Sequence, residues 1–148
     1  MSGRLLQYAF ALCLGLSAFG QSAGAAESIP LPNGSGSISL PEGYKHQPGH
    51  GMDSTVGMIW RDGGVRVQYD IGEDAGNYTE CKWCGWTDGE LWRTRQTIDG
   101  QTAVCVFTKK QTIVVSFLES HANFHATVRN SRDMADSLLV ILSYRAPK

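Results

Sequence analysis

The sequence predicts an α+β domain in which an antiparallel β-sheet of six or seven strands carries one C-terminal amphipathic helix packed on a face. Residues 55–129 alternate between apolar and polar side chains in short runs, as half-buried strands do. Two turns between these runs have sequences typical of β-hairpins, DGG at 62–64 and DG at 99–100. After residue 130 the apolar spacing changes to that of a helix.

The strands follow from these signals in chain order. A short strand is predicted at 38–40, and Pro and Gly residues favour a loop from there to residue 53. The first hairpin turn joins two strands, and the second turn joins another two. Two further alternating runs complete a meander. These six strands are predicted at 55–60, 65–71, 91–98, 101–108, 112–119 and 122–129.

The C-terminal segment is predicted to be a helix of about 13 residues that lies across the sheet. Ser131 is the predicted N-cap, and Asp133 lies in the first turn, where the helix dipole favours an anion. The apolar stripe recurs at i, i+4, i+7 and i+8, and consists of Met134, Leu138, Ile141 and Leu142.

The N-terminus resembles an export signal. Arg4 precedes an apolar run from Leu5 to Phe19, and small residues follow at 22–26. About fifteen apolar residues are fewer than the roughly twenty that a membrane-spanning helix needs. We therefore expect residues 1–26 to be a cleaved signal peptide, residues 27–37 to be a flexible lead-in, and residues 38–148 to form one globular domain. The mature protein is expected to be periplasmic or secreted, without a stable membrane anchor.

The charge of the mature chain narrows the class of partner. Removing Arg4 from the 13 basic residues leaves 12 against 14 acidic residues, a net charge of about −2. Apart from the pair at 109–110 there is no basic run. Nucleic acid is therefore excluded as an expected partner, and a protein or another envelope component is favoured. The sequence predicts no cofactor.

Signal cleavage removes Cys13 and leaves Cys81, Cys84 and Cys105, an odd number in an oxidising compartment. A bridge from Cys81 or Cys84 to Cys105 would close a loop worth roughly 3.5 kcal/mol, against about 2 kcal/mol for a Cys81 to Cys84 bond. The sequence therefore favours the long bridge, and the short bridge remains the alternative.

The same residues allow a metal site or redox chemistry. Three sulfurs and one histidine would make a Cys3His zinc set. His46 and His50 flank a Pro-Gly turn, with Met52 nearby as a soft ligand of the kind that copper accepts. The CxxC motif is also that of thiol oxidoreductases, although no helix pattern follows it here.

Three tryptophans, Trp83, Trp86 and Trp92, lie in or close to the CxxC segment. They either form an exposed binding surface or pack over the disulfide, since tryptophan is common both at interfaces and in buried packing. No spacing brings a nucleophile, a base and an acid together, so we expect binding rather than catalysis. The favoured function is a small exported interaction domain, with an inhibitor or immunity-type protein as its concrete form. The alternative is a periplasmic metal-binding or thiol-redox protein.

Overall fold

The computed structural model of the chain describes residues 26–148. The predicted signal peptide, apart from Ala26, lies outside this range. Within it, the chain forms nine strands and one α-helix. These elements are β1 (Glu27–Pro30), β2 (Ser37–Leu40), β3 (Lys45–Pro48), β4 (Thr55–Trp60), β5 (Arg66–Ile71), β6 (Glu90–Ile98), β7 (Gln101–Thr108), β8 (Thr112–Phe117), β9 (Ala122–Thr127) and α1 (Ser131–Ile141).

Seven of the strands form one antiparallel sheet in the order β3-β4-β5-β9-β8-β7-β6, and β1 and β2 form a separate two-stranded ribbon. The large sheet consists of two meanders, β3-β4-β5 and β6-β7-β8-β9, joined because β9 pairs with β5. The predicted α+β fold with one packed helix is confirmed.

The main core lies between the large sheet, α1 and the β1-β2 ribbon; we call this face of the sheet the helix side. Strand alternation places the predicted apolar residues there: Val67 and Tyr69 of β5 and Phe124 of β9 are all buried. The C-terminal segment contributes Ile141 and Tyr144, whose exposed fractions are both 0%. The Tyr144 ring centroid lies 5.3 Å from that of Phe124.

The helix begins at Ser131, one residue earlier than predicted, because its N-cap is Asn130 rather than Ser131. The Asn130 side chain accepts a hydrogen bond of 2.9 Å from the backbone N–H of Asp133, and Asn130 itself has an extended backbone. This satisfies one of the unpaired N–H groups of the first turn. Asp133 also forms an ion pair with Arg129 (Nε to Oδ2, 2.7 Å).

Residues 27–37 are not the flexible lead-in that the sequence predicts. They form β1, a tight turn and the start of β2, so the globular unit begins at residue 27. Leu31 is 3% exposed and packs into the core, while the Pro, Asn and Gly residues that follow it make the turn. Pro and Gly thus shape a hairpin here.

Strand β3 is a second difference between the sequence prediction and the structure, since a loop is predicted at these residues. Its four residues have no apolar alternation, but their backbone pairs with β4 from Lys45↔Trp60 to Pro48↔Gly57. It is an edge strand, where a proline is tolerated because one side of the backbone has no partner.

Candidate functional site

Residues 72–89, which we call the strap, connect β5 to β6 across the sheet face opposite α1. Since β9, β8 and β7 lie between these two strands, the connection must cross all three. The strap contains a short 3-10 turn at Glu73–Ala75 and otherwise consists of turns. We call the face that it crosses the strap side.

Asn123 of β9 anchors the strap. Its side chain is fully buried, and its Oδ1 accepts hydrogen bonds from the Tyr78 backbone N–H (2.8 Å) and the Ser116 hydroxyl (2.7 Å). Its Nδ2 donates to the carbonyls of Gly76 (2.9 Å) and Asp70 (3.3 Å). One side chain therefore satisfies polar groups of the strap and of two strands that would otherwise be buried without partners.

Side chains of β6 hold the far end of the strap. The Arg93 guanidinium donates to the Thr79 carbonyl at 3.2 Å, and Arg95 donates to Glu80 at 3.0 Å. These arginines are 37% and 60% exposed, so we assign their ion pairs little stability. Their effect is positional: they place Glu80, and with it the adjacent CxxC segment, beside the edge strand of the sheet.

An aromatic stack closes the strap over β9. The rings of Tyr78 and Trp86 are stacked at 4.4 Å with an interplanar angle of 6°, and the Trp86 ring lies 4.5 Å from the His125 ring. The Tyr78 hydroxyl donates to Asp70 Oδ2 at 2.8 Å. Burial, reinforced by this hydrogen bond to Asp70, raises the pKa of Tyr78, and burial lowers the pKa of His125.

The three tryptophans therefore differ in their surroundings. Trp83 is 95% exposed, Trp92 is 48% exposed, and Trp86 is packed in the stack. Trp83 is therefore exposed to solvent, whereas Trp86 fixes the strap to the sheet by packing on Tyr78 and His125.

The disulfide joins Cys81 to Cys84, with a Cα–Cα distance of 5.5 Å, and Cys105 is a free thiol. The long bridge favoured by the sequence is wrong. Cys105 is 1% exposed and belongs to the helix-side core, whereas the strap lies on the other face, so the sheet separates them. Loop entropy favours a bridge only between cysteines that the fold brings together. Burial also raises the pKa of the Cys105 thiol to about 11.

This pairing predicts the products of a tryptic digest without reduction. Trypsin cleaves after Arg66, Lys82, Arg93, Arg95 and Lys109. Alkylation in denaturant followed by digestion should yield fragment 67–82 linked by a disulfide to fragment 83–93, with fragment 96–109 alkylated at Cys105. Mass spectrometry checks this result, and a disulfide between fragment 96–109 and either of the others would contradict it. Without denaturant, Cys105 should resist alkylation because it is buried.

The metal candidates occupy different surroundings. His46 lies in β3, where its Nε2 is 2.8 Å from the Tyr69 hydroxyl, and burial lowers its pKa. His50 is exposed in the loop after β3, and Met52 is 98% exposed in the same loop. Among residues 26–148, no group of three or more His, Cys, Asp and Glu side chains is arranged to hold a metal ion. The disulfide also removes two of the three thiols that the zinc set requires.

The sequence reasoning missed the anchoring residues of the strap. Ser116 and Asn123 are polar positions in alternating strands, and such positions usually face solvent. In the structure both are fully buried beneath the strap. Two small polar residues in neighbouring strands are a weak signal that a second layer covers them.

In the described part of the chain, no helix is long and apolar enough to cross a membrane. Comparisons of the whole chain with protein-family models, curated proteins and solved structures found no match.

Proposed function

We propose that this chain is a small exported binding domain whose strap presents Trp83 to a protein partner in the periplasm or outside the cell. An inhibitor or immunity-type protein is the form that we favour. The observation that supports this most directly is a tryptophan that is 95% exposed inside the ring closed by Cys81 and Cys84. Tryptophan is among the residues that most often dominate binding energy at protein interfaces.

The ring holds the Trp83 backbone in place before a partner binds. The disulfide closes it, and the Cys81 backbone N–H donates to the Asn77 carbonyl at 3.0 Å. The stack of Trp86 on Tyr78 fixes the chain just after the ring. Preorganisation reduces the conformational entropy that binding removes, so a fixed Trp83 contributes more affinity than the same residue on a flexible loop.

Further apolar surface lies at the start of β6. Leu91 is 56% exposed and Trp92 is 48% exposed. The ion pairs between Glu80 and the β6 arginines place the CxxC segment beside this edge strand. Trp92 pairs with Phe107, whose side chain packs against the helix-side core, so Trp92 faces the helix side of the sheet and not the strap side.

A photo-crosslinking experiment tests the role of Trp83. A benzophenone amino acid is placed at position 83, and at position 139 as the control, because Leu139 is 62% exposed on α1 on the opposite side of the sheet. Both proteins are expressed in the producing cell and irradiated. We expect a discrete cross-linked product from position 83 that is absent from position 139.

The decisive measurement is the affinity of the protein for the partner identified in that cross-linked product. Trp83→Ala should weaken binding about 30-fold or more, since a dominant interface residue contributes about 2 kcal/mol or more. Leu139→Ala should change it less than twofold. The absence of a discrete product at position 83, or an unchanged affinity in Trp83→Ala, would refute the proposal. If the partner is an enzyme, inhibition of its activity tests the inhibitor form.

Thiol redox activity is the second candidate, because the bonded pair is the CxxC pair itself and Cys84 is exposed. Against it, the strap continues through turns into β6, so within residues 26–148 no helix N-terminus lies beside the cysteines to stabilise a thiolate. Catalysed oxidation of a reduced substrate protein that is lost in Cys81→Ser/Cys84→Ser, but retained in Trp83→Ala, would favour redox activity over binding.

A further inference from the structure

A cleft of about 350 Å³ lies on the strap side of β5 and β9, where the strap leaves the sheet uncovered. The row formed by Asp70 and Asn123 is covered by Gly76 and Tyr78. The next row, formed by Gln68 and His125, is covered only at His125, on which the Trp86 ring packs. The cleft begins there.

The charges around the cleft are positive. The residues that line it include Arg66 and Arg129 and no Asp or Glu. Arg129 is already paired with Asp133 and also donates to the Gly63 carbonyl. Arg66 is exposed and has no acidic partner among the described residues, whereas five other arginines do. One guanidinium at the cleft is therefore available to an anion.

The other side chains of the lining suit a small anion with a planar group. Gln68 supplies an amide, Thr127 a hydroxyl and His125 an aromatic ring, which is held from outside the lining by the Trp86 ring. A guanidinium binds a carboxylate through two parallel hydrogen bonds. The volume is at the small end of the range for ligand pockets, which fits a group the size of an amino-acid side chain.

We propose that this cleft binds a carboxylate group, with Arg66 as its charged anchor and Gln68 and Thr127 as hydrogen-bonding partners. A singly charged carboxylate matches the one unpaired guanidinium better than a phosphate group, which usually meets several cations or backbone N–H groups. The carboxylate belongs either to an Asp or Glu side chain of a protein or to a free organic acid. The first source rests on the proposed function, since the cleft and Trp83 lie on the same side of the sheet.

Titrations followed by ¹⁵N–¹H NMR of the mature protein test the proposal. The probes are propionate, a capped peptide with one glutamate, and the same peptide with glutamine in its place, and sodium sulfate serves as a control anion. We expect saturable shifts of the amide signals of residues 66, 68, 125 and 127 with the two carboxylate probes, and none with the glutamine peptide. Arg66→Gln should weaken binding at least tenfold. Arg132→Gln, which removes the same charge from the exposed start of α1, should change it less than twofold.

The outcomes distinguish the two sources of the carboxylate, a protein side chain and a free organic acid. They also distinguish the cleft proposal from the proposed function. A glutamate peptide that binds at least tenfold tighter than propionate assigns the cleft to a protein side chain, and the reverse assigns it to a free acid. Similar affinities support carboxylate binding in general. Equal shifts with the glutamine peptide or with sodium sulfate, no saturation, or an unchanged affinity in Arg66→Gln would overturn the proposal. Trp83→Ala should leave these titrations unchanged. A failure of the proposed role of Trp83 can therefore be distinguished from a failure of carboxylate binding in the cleft.

Discussion

Asn123→Ala should lower the free energy of unfolding by about 3 kcal/mol, because it leaves several buried polar groups without partners. The lost side chain accepts from the Tyr78 N–H and the Ser116 hydroxyl and donates to the carbonyls of Gly76 and Asp70. The strap should detach first, because these hydrogen bonds join it to the sheet. Urea unfolding measures the stability, and hydrogen exchange at the Tyr78 amide measures the detachment.

Gln68→Ala is the matched control for this variant. Gln68 is an exposed amide one row away on the same side of the sheet, so its removal should change stability by less than about 0.5 kcal/mol. If Asn123→Ala lost no more stability than Gln68→Ala, or if the Tyr78 amide stayed protected, the anchoring role of Asn123 would be disproved. Cross-linking from position 83 should also become diffuse in Asn123→Ala if the strap must be fixed to present Trp83.

Phe124→Ala should lower the free energy of unfolding by about 4 kcal/mol, through lost burial and the cavity that remains. Phe124 is fully buried at the centre of the helix-side core. Its ring centroid lies 5.3 Å from that of Tyr144, 5.9 Å from that of Phe117 and 6.2 Å from that of Tyr69. A cavity there removes contacts between the sheet and the C-terminal segment, so we expect the whole domain to unfold at a lower urea concentration.

Leu139→Ala provides the comparison for Phe124→Ala. Leu139 is 62% exposed on α1, so its truncation should change the free energy of unfolding by less than about 0.5 kcal/mol. A loss in Phe124→Ala below about 1 kcal/mol would show that the aromatic cluster is not the centre of the core. Circular dichroism should report retained strand content in both variants under native conditions.

Local sequence signals predicted the two hairpins correctly because the residues that specify them are adjacent. Asp99 and Gly100 have φ angles of 50° and 78°, the positive pair that a type I′ turn requires. The alternation in β5 and β9 correctly placed Tyr69 and Phe124 on the buried face. These outcomes depend on the period of a strand and the stereochemistry of a turn, both of which act over a few residues.

Other features had no local signal. Strand β3 forms because its backbone pairs with β4, although its own residues show no strand pattern. The path of the strap also follows no periodicity, and its length and Gly content are equally typical of an open loop. Whether Ser116 and Asn123 face solvent or lie beneath a second layer is therefore decided by residues about forty positions away.

The sequence by itself determined the fold class, most of the strands, the helix and the turns, because alternation, capping and turn chemistry act between near neighbours. Only the tertiary structure decided the disulfide pairing, since Cys105 and the CxxC pair lie on opposite faces of the sheet. The spacing of the cysteines in the sequence does not show on which face each one lies. The tertiary structure also decided which tryptophan is exposed, because Trp86 packs on Tyr78 and His125 while Trp83, three residues earlier, has no such neighbours. Burial depends on what the folded chain places over a residue, and that contact is made across the sheet rather than along the sequence.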